Sequence, residues 1–386
     1  MTTTTTETSP APVSAESTAV DQPLHATSLA QLLAMHGLSD IHLSLGRNAP
    51  DVWVRLSGVM QRVHSPQACA QLLENTLQVL RLSSASELHT HLQNCGGQED
   101  LALSLAGGER LRNHVFLACD QIELALRLLP SHVPDVDTLG LPATVTPLLS
   151  ASSGLIFVCG GTGSGKTTTL AALIGHINAN QAANIISLEA PIEYIHKDQR
   201  SRIRQRSIGP HGDCHSFAQG VVAAMREDPD VILVGEVRDQ ATMHACLQAA
   251  QTGHLVLATL HTNSAPETID RALAFYPEAE RDLARSVLSS SLRAIVAQRL
   301  LPQAAQPTQR VLACEVLLVN QGIRANIAAG QITQIAQTME TGRSMGQQTL
   351  NHHLFELVQS GLVTREAALT ASPRADMLSR ALDARS

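Results

Sequence analysis

From Ser28 onward the apolar residues follow two different periods along the chain. Leu29, Leu32 and Leu33 recur at helical spacing behind a Ser28 cap, and Ile41-His42-Leu43-Ser44-Leu45 then alternates as a half-buried strand does. Residues 52–56, 111–118 and 124–129 read as further strands, and 67–80 and 86–92 as helices. This pattern predicts a mixed α/β domain over 25–130. Pro130, Pro134, Gly140 and Pro142 then fall close together, and prolines so spaced interrupt both helix and sheet, which places a linker at 131–142. Beyond it, short wholly apolar runs at 155–159, 185–188, 231–234 and 255–259 alternate with helical stretches, the mark of a parallel sheet covered on both faces. A second α/β domain therefore occupies 143–372. It ends in a strand at 311–318 and helices near 321–329, 346–360 and 364–370, with 373–386 read as a frayed tail. Residues 1–24 are rich in Thr, Ser, Ala and Pro and hold hardly any large apolar side chain, so they are read as a disordered tail.

Composition narrows the class. The chain has 386 residues, with 27 Lys and Arg against 34 Asp and Glu, a net charge of −7. This is not the footprint of a general nucleic-acid binder, so no nucleic acid is expected as partner. Cys69, Cys95, Cys119, Cys159, Cys214, Cys246 and Cys314 never form a C-x-x-C pair, which argues against a disulfide framework and a four-cysteine zinc site and for a cytosolic compartment. No apolar run reaches the roughly 18 residues of a bilayer span, and the first residues lack the features of a signal peptide. No integral membrane segment is expected; any membrane association is peripheral.

The chemistry concentrates in the second domain. Gly160-Gly161-Thr162-Gly163-Ser164-Gly165-Lys166-Thr167 fits the G-x-x-x-x-G-K-[ST] phosphate loop, preceded by an apolar strand and followed by the helix-compatible Thr168-Thr169-Leu170. Glycines let the backbone N–H groups face a phosphate, Lys166 supplies a cation to the β/γ oxygens, and the Thr167 hydroxyl can ligate Mg²⁺. The run Val231-Ile-Leu-Val234-Gly235-Glu236 is an apolar strand ending in a carboxylate suited to holding Mg²⁺ through water or orienting an attacking water. Glu189 and Glu193 follow another predicted strand, and one of them is a candidate general base. His211, Asp213, Cys214 and His215 offer ligand types in a loop but no second cluster, and are read as surface loop; Arg202, Arg204 and Arg206 are read as a solvated or subunit-facing strip.

Four blocks in order carry a resemblance: the phosphate loop, Ser187-Leu-Glu-Ala-Pro-Ile-Glu-Tyr-Ile-His196, Met225-Arg-Glu-Asp-Pro-Asp-Val-Ile-Leu-Val-Gly-Glu-Val-Arg-Asp239, and Thr252-Gly-His254-Leu-Val-Leu-Ala-Thr-Leu-His261-Thr. Together with Gln298-Arg-Leu-Leu-Pro302 they resemble the type II/type IV secretion and pilus ATPases, most closely the PilT-like pilus-retraction group. The resemblance implies a PAS-like N-terminal domain, a RecA-like P-loop ATPase domain, and a homohexameric ring using ATP and Mg²⁺. It implies that Glu193 is the catalytic glutamate, Glu236 the Walker B acid, and His254 and His261 the histidines that couple nucleotide to neighbouring elements. Arg110, Arg112 and Arg127 match N-terminal-domain arginines that approach the phosphates.

By the same resemblance the motor would power type IV pilus retraction and twitching motility. It would sit in the cytoplasm at the inner membrane, on a platform protein, with a related retraction ATPase as a further partner. A DotB-like ATPase of a secretion or conjugation apparatus, and a weakly hydrolysing accessory subunit, are the alternatives. The chain departs from the family pattern at Ala190, where an aspartate is usual, at Gly161 and Thr167, and in the late helix Gly322-Ile-Arg-Ala-Asn-Ile-Ala-Ala329.

Overall fold

The computed structural model describes residues 24–46, 50–210 and 212–384. The tail expected at the N-terminus therefore lies, but for Leu24, outside the described residues. The chain divides into two compact units, Met1–Glu99 with His114–Arg127, and Asp100–Asn113 with Leu128–Ser386.

The first sheet is made of strands β1 (Leu24–His25), β2 (Leu38–Leu45), β3 (Pro50–Leu56), β4 (Val59–His64), β5 (Gln98–Ser104), β6 (Arg110–Ala118) and β7 (Gln121–Leu128), in order β1-β4-β3-β2-β7-β6-β5. Strand side chains alternate between faces, so Ile41 and Leu43, Val52 and Val54, and Leu124 and Leu126 all turn to one buried side. Helices Pro66–Leu80 and Ala85–Asn94 bury Leu72, Leu88 and Leu92. The expected domain boundary at 130 is corrected in one respect. Asp100–Asn113, which is most of β5, the turn after it and the start of β6, groups with the second unit although both strands belong to this sheet.

In the second unit, β8 (Gly154–Cys159), β9 (Asn184–Glu189), β10 (Arg202–Ser207), β11 (Val231–Val234), β12 (Leu255–Leu260), β13 (Leu292–Pro302) and β14 (Arg310–Leu318) form a sheet of order β10-β9-β11-β12-β8-β13-β14. All pairs are parallel except β13–β14. Both faces are covered. Leu155 and Phe157 enter one core with the helices Gln240–Gln251 and Glu278–Ser291, while Ile156 and Val158 enter the other with Leu170, Leu173 and Ile177 of helix Lys166–Asn180. Burial on both sides explains why these strands read as unbroken apolar runs. The parallel arrangement brings the carboxyl ends of β8, β9, β11 and β12 to one edge, where ligands bind in open α/β sheets.

Two expectations are corrected. Residues 131–142 are not a free linker, because Val136 is buried in the core against the helix Lys166–Asn180, with Leu139 and Leu141 packed beside it. The tail is not frayed, because helix Ala375–Asp383 buries Leu378 and Leu382 against Leu354 and Leu357. Arg204 of β10 is exposed and pairs with Asp198 at 3.0 Å, and the partly buried Arg206 pairs with Glu227 at 2.6 Å. No helix among the described residues is long and apolar enough to cross a membrane.

Candidate functional site

The loop 160–167 joins β8 to the helix Lys166–Asn180, and its glycines are used for shape. Gly160, Gly163 and Gly165 lie at φ +152°, +74° and +87°, a region that side chains other than glycine rarely adopt. A Cβ on Gly160 would lie 2.4 Å from Ser164 Oγ and 2.5 Å from the Gln298 carbonyl. The loop thus curls around a hollow at the helix N-terminus, where the main-chain N–H groups have no helical acceptor. Lys166 Nζ closes it by donating to the carbonyls of Gly160 at 2.8 Å and Gly161 at 2.9 Å. Burial pulls the Lys166 ammonium below its ordinary pKa, opposed by the nearby Cys159 and Glu236. Ser164 Oγ is buried with no partner. A curled backbone, a cation satisfied only by carbonyls and an orphan hydroxyl together fit an anionic phosphate group.

Glu236 follows β11 and His261 follows β12, so both stand at the edge that carries the loop. Glu236 Oε1 accepts from Arg238 Nε at 2.6 Å and lies 3.0 Å from His261 Nε2. The turn after β11 is fixed by Thr259 Oγ1, which donates to the Gly235 carbonyl at 2.5 Å, and by Gly235 N–H donating to Leu188 O. Thr167 lines a small recess with Ser187, Glu189, Tyr194 and Gly235, and Tyr194 OH meets Thr168 Oγ1 at 3.0 Å. The Thr167 hydroxyl and the Glu236 carboxylate, both at this sheet edge, are hard oxygen donors of the kind Mg²⁺ takes.

The two carboxylates after β9 differ in use. Glu189 accepts from Ser187 Oγ at 2.7 Å and Gln205 Nε2 at 3.0 Å, and burial raises its pKa above the ordinary carboxylate range. Glu193 lies on the following loop with Arg112 NH1 3.5 Å from its Oε1, while Arg110 donates to the carbonyls of Ile192 and Glu193 at 2.7 Å each. Ala190 leaves this loop one carboxylate short of the usual pattern.

The expected nucleotide ligands are only partly gathered. Lys166, Thr167, Thr168, Glu236 and His261 come together at one sheet edge. Arg110 and Arg112 engage the Glu193 loop rather than residues 160–167. Arg127 lies in the first unit, bound to Asp40 at 2.8 Å. His254 is a correction: its carbonyl accepts from Gly154 N–H and its Nδ1 is 2.9 Å from Ala249 O, so it stands at the start of β8 and β12. A strand of six residues at about 3.3 Å each separates it from the loop by roughly 20 Å, too far to touch a nucleotide bound there. Gln298 carried no assigned role in the sequence, yet its Nε2 donates to Ser164 O at 2.7 Å while the residue is 1% exposed. A lone amide inside the apolar run of β13 was the available signal.

The family described as type II/IV secretion system protein matches residues 15–375. The chain belongs to this family. It is 45% identical over 264 residues, 67% of this chain and 80% of the other, to a protein of Escherichia coli strain K12 named only as uncharacterized protein YggR. To the type IV pilus retraction ATPase PilT of Pseudomonas aeruginosa it is 34% identical over 343 residues, covering 89% of this chain and 96% of that one. A solved structure of the pilus retraction motor PilT with bound ADP aligns at TM-score 0.78 and 38% identity, over 92% of this chain and 99% of that chain. This member of the secretion family is accordingly an ATP-hydrolysing enzyme with an N-terminal domain and a RecA-like ATPase domain.

Proposed function

We propose that this secretion-family ATPase is a Mg²⁺-dependent motor that powers retraction of a type IV pilus, working as a homohexamer in the cytoplasm at the inner membrane. Docking on a platform protein, with a related retraction ATPase as a further partner, belongs to the same reading. The observation that carries it is the convergence of Lys166, Thr167, Glu236 and His261 at one sheet edge, in a chain similar to a retraction motor along nearly its whole length. In this reading Lys166 exchanges its two carbonyl acceptors for the β- and γ-phosphate oxygens. Thr167 and Glu236 hold the ion, whose charge neutralises those oxygens when it is bound. Glu193 takes the proton of the attacking water. His261, through its contact with Glu236, links the filled or emptied site to the loop after β12. Rotation of one domain against the other then supplies the mechanical output.

The test is Mg²⁺-ATP hydrolysis by the purified chain across protein concentrations, with Glu193→Ala as control, joined to deletion of the gene. Turnover per chain that rises with concentration and vanishes in the variant, with loss of surface motility on deletion, is the expected result. Intact motility with lost effector or plasmid transfer would move the motor to a DotB-like apparatus. One observation favours a second reading: Ala190 supplies no carboxylate, and Glu189 is tied up by Ser187 and Gln205. A wild-type protein that is silent even when assembled would make the chain a nucleotide-binding accessory subunit.

A further inference from the structure

Three side chains of different ligating chemistry meet in the first unit, none of them assigned to the phosphate site. Helix Ala85–Asn94 places His91 in its last turn and ends at Cys95, one helical turn further on. Gly96 and Gly97, at φ +80° and +84°, then reverse the chain, held by the Gly97 N–H donating to Leu92 O at 2.7 Å. The reversal starts β5 at Gln98, so that Glu99 returns to the helix end. His91 Nε2 is 2.5 Å from Glu99 Oε2 and 3.6 Å from Cys95 Sγ, and the three ligand atoms all lie within 4.8 Å of one another. Glu99 is 7% exposed, while His91 and Cys95 are half-buried.

We propose that His91, Cys95 and Glu99 bind a divalent transition-metal ion of the Zn²⁺ class. An imidazole, a thiolate and a carboxylate are the donors Zn²⁺ takes, whereas Mg²⁺ avoids sulfur. Bonds of about 2.0–2.3 Å in a tetrahedron set donor atoms roughly 3.3–3.8 Å apart. The sulfur–nitrogen separation already meets this, and the His91–Glu99 pair has to open by less than about 1 Å, the ion replacing the shared proton. Three protein ligands leave a fourth position for water. The ion would pin the end of helix Ala85–Asn94 to β5 across the two-glycine turn.

The experiment uses the full-length, nucleotide-free chain, stripped with a chelator, desalted under reducing conditions and titrated with Co²⁺ as an optical stand-in. The expected result is about one equivalent per chain, with a thiolate-to-cobalt charge-transfer absorption that Zn²⁺ then abolishes. Cys95→Ser should lose that absorption, and Glu99→Gln should weaken Zn²⁺ binding at least about tenfold. Circular dichroism and ADP binding check the fold of each variant. Should Cys95→Ser fail to fold, His91→Gln is read in its place. Absence of stoichiometric cobalt binding by the folded wild type overturns the proposal. So does an absorption that survives in the folded variant, which would assign it to another thiol.

Discussion

His261 Nε2 stands 3.0 Å from Glu236 Oε1, and the two residues leave adjacent parallel strands at the same edge of the sheet. Glu236 is thereby tied to the end of β12 as well as to its own strand. His261→Ala should lower kcat about 10- to 100-fold, the worth of a hydrogen bond to a charged group, while ADP affinity changes little. Equal losses in kcat and in ADP binding, read by hydrolysis and fluorescent-ADP titration, would make His261 a binding residue instead.

Lys166 is satisfied by two carbonyls of its own loop. Removing it should cost nucleotide binding more than folding. Lys166→Ala is expected to weaken ADP affinity roughly 10- to 100-fold with the melting temperature nearly unchanged. A large fall in melting temperature would show that the carbonyl contacts hold the loop together.

Gln298 reaches from β13 to the carbonyl of Ser164 inside the phosphate loop. Gln298→Leu keeps the volume but strands that carbonyl, which should destabilise the chain by about 1–3 kcal/mol and weaken nucleotide binding as well. Thermal melting with and without ADP separates the two effects. Unchanged ADP affinity in a folded variant would end the idea that Gln298 shapes the loop.

Glu189 has its pKa raised by burial. A carboxyl raised in the fold favours the native state below the ordinary glutamate pKa and penalises it once pH climbs through the folded value. Glu189→Gln should therefore raise the melting temperature of the nucleotide-free chain at neutral pH, and the gain should shrink as pH falls through the carboxylate range. A gain that is constant with pH would point to packing rather than charge.

Leu378 and Leu382 of helix Ala375–Asp383 are each 2% exposed. Leu378→Ala should cost about 2–5 kcal/mol, measured by denaturant unfolding, if this helix is part of the folded unit. A negligible cost would return the segment to a frayed tail.

Where a local rule was sufficient, the sequence was legible. The strand–glycine loop–helix run at 154–170 and the apolar strands β11 and β12 were readable because two-sided burial writes them as unbroken apolar runs. β13 was not, since helix Glu278–Ser291 passes into it at Leu292 with no glycine or proline to mark the change. Helix Ile332–Thr341 and helix Ala375–Asp383 went unread, although Ile332, Ile335 and Met339 in one and Leu378 and Leu382 in the other keep helical spacing, because so few apolar positions resemble chance. The site was legible as residue types and not as places. His254 and His261 flank β12 seven positions apart, and only the parallel register of β8 and β12 shows that His261 and not His254 stands at the end that carries the phosphate loop.

The junction at Leu292 also bears on what the phosphate loop is attached to. The helix becomes a strand in a single residue, and the pairing of β13 with β8 shifts register between Leu292 and Ala294, just past the junction. β13 runs on from that junction to Gln298, whose amide holds the wall of the phosphate loop. The phosphate loop is thus joined to β13 as well as to its own helix, a route to the loop that includes neither Glu193 nor Glu236.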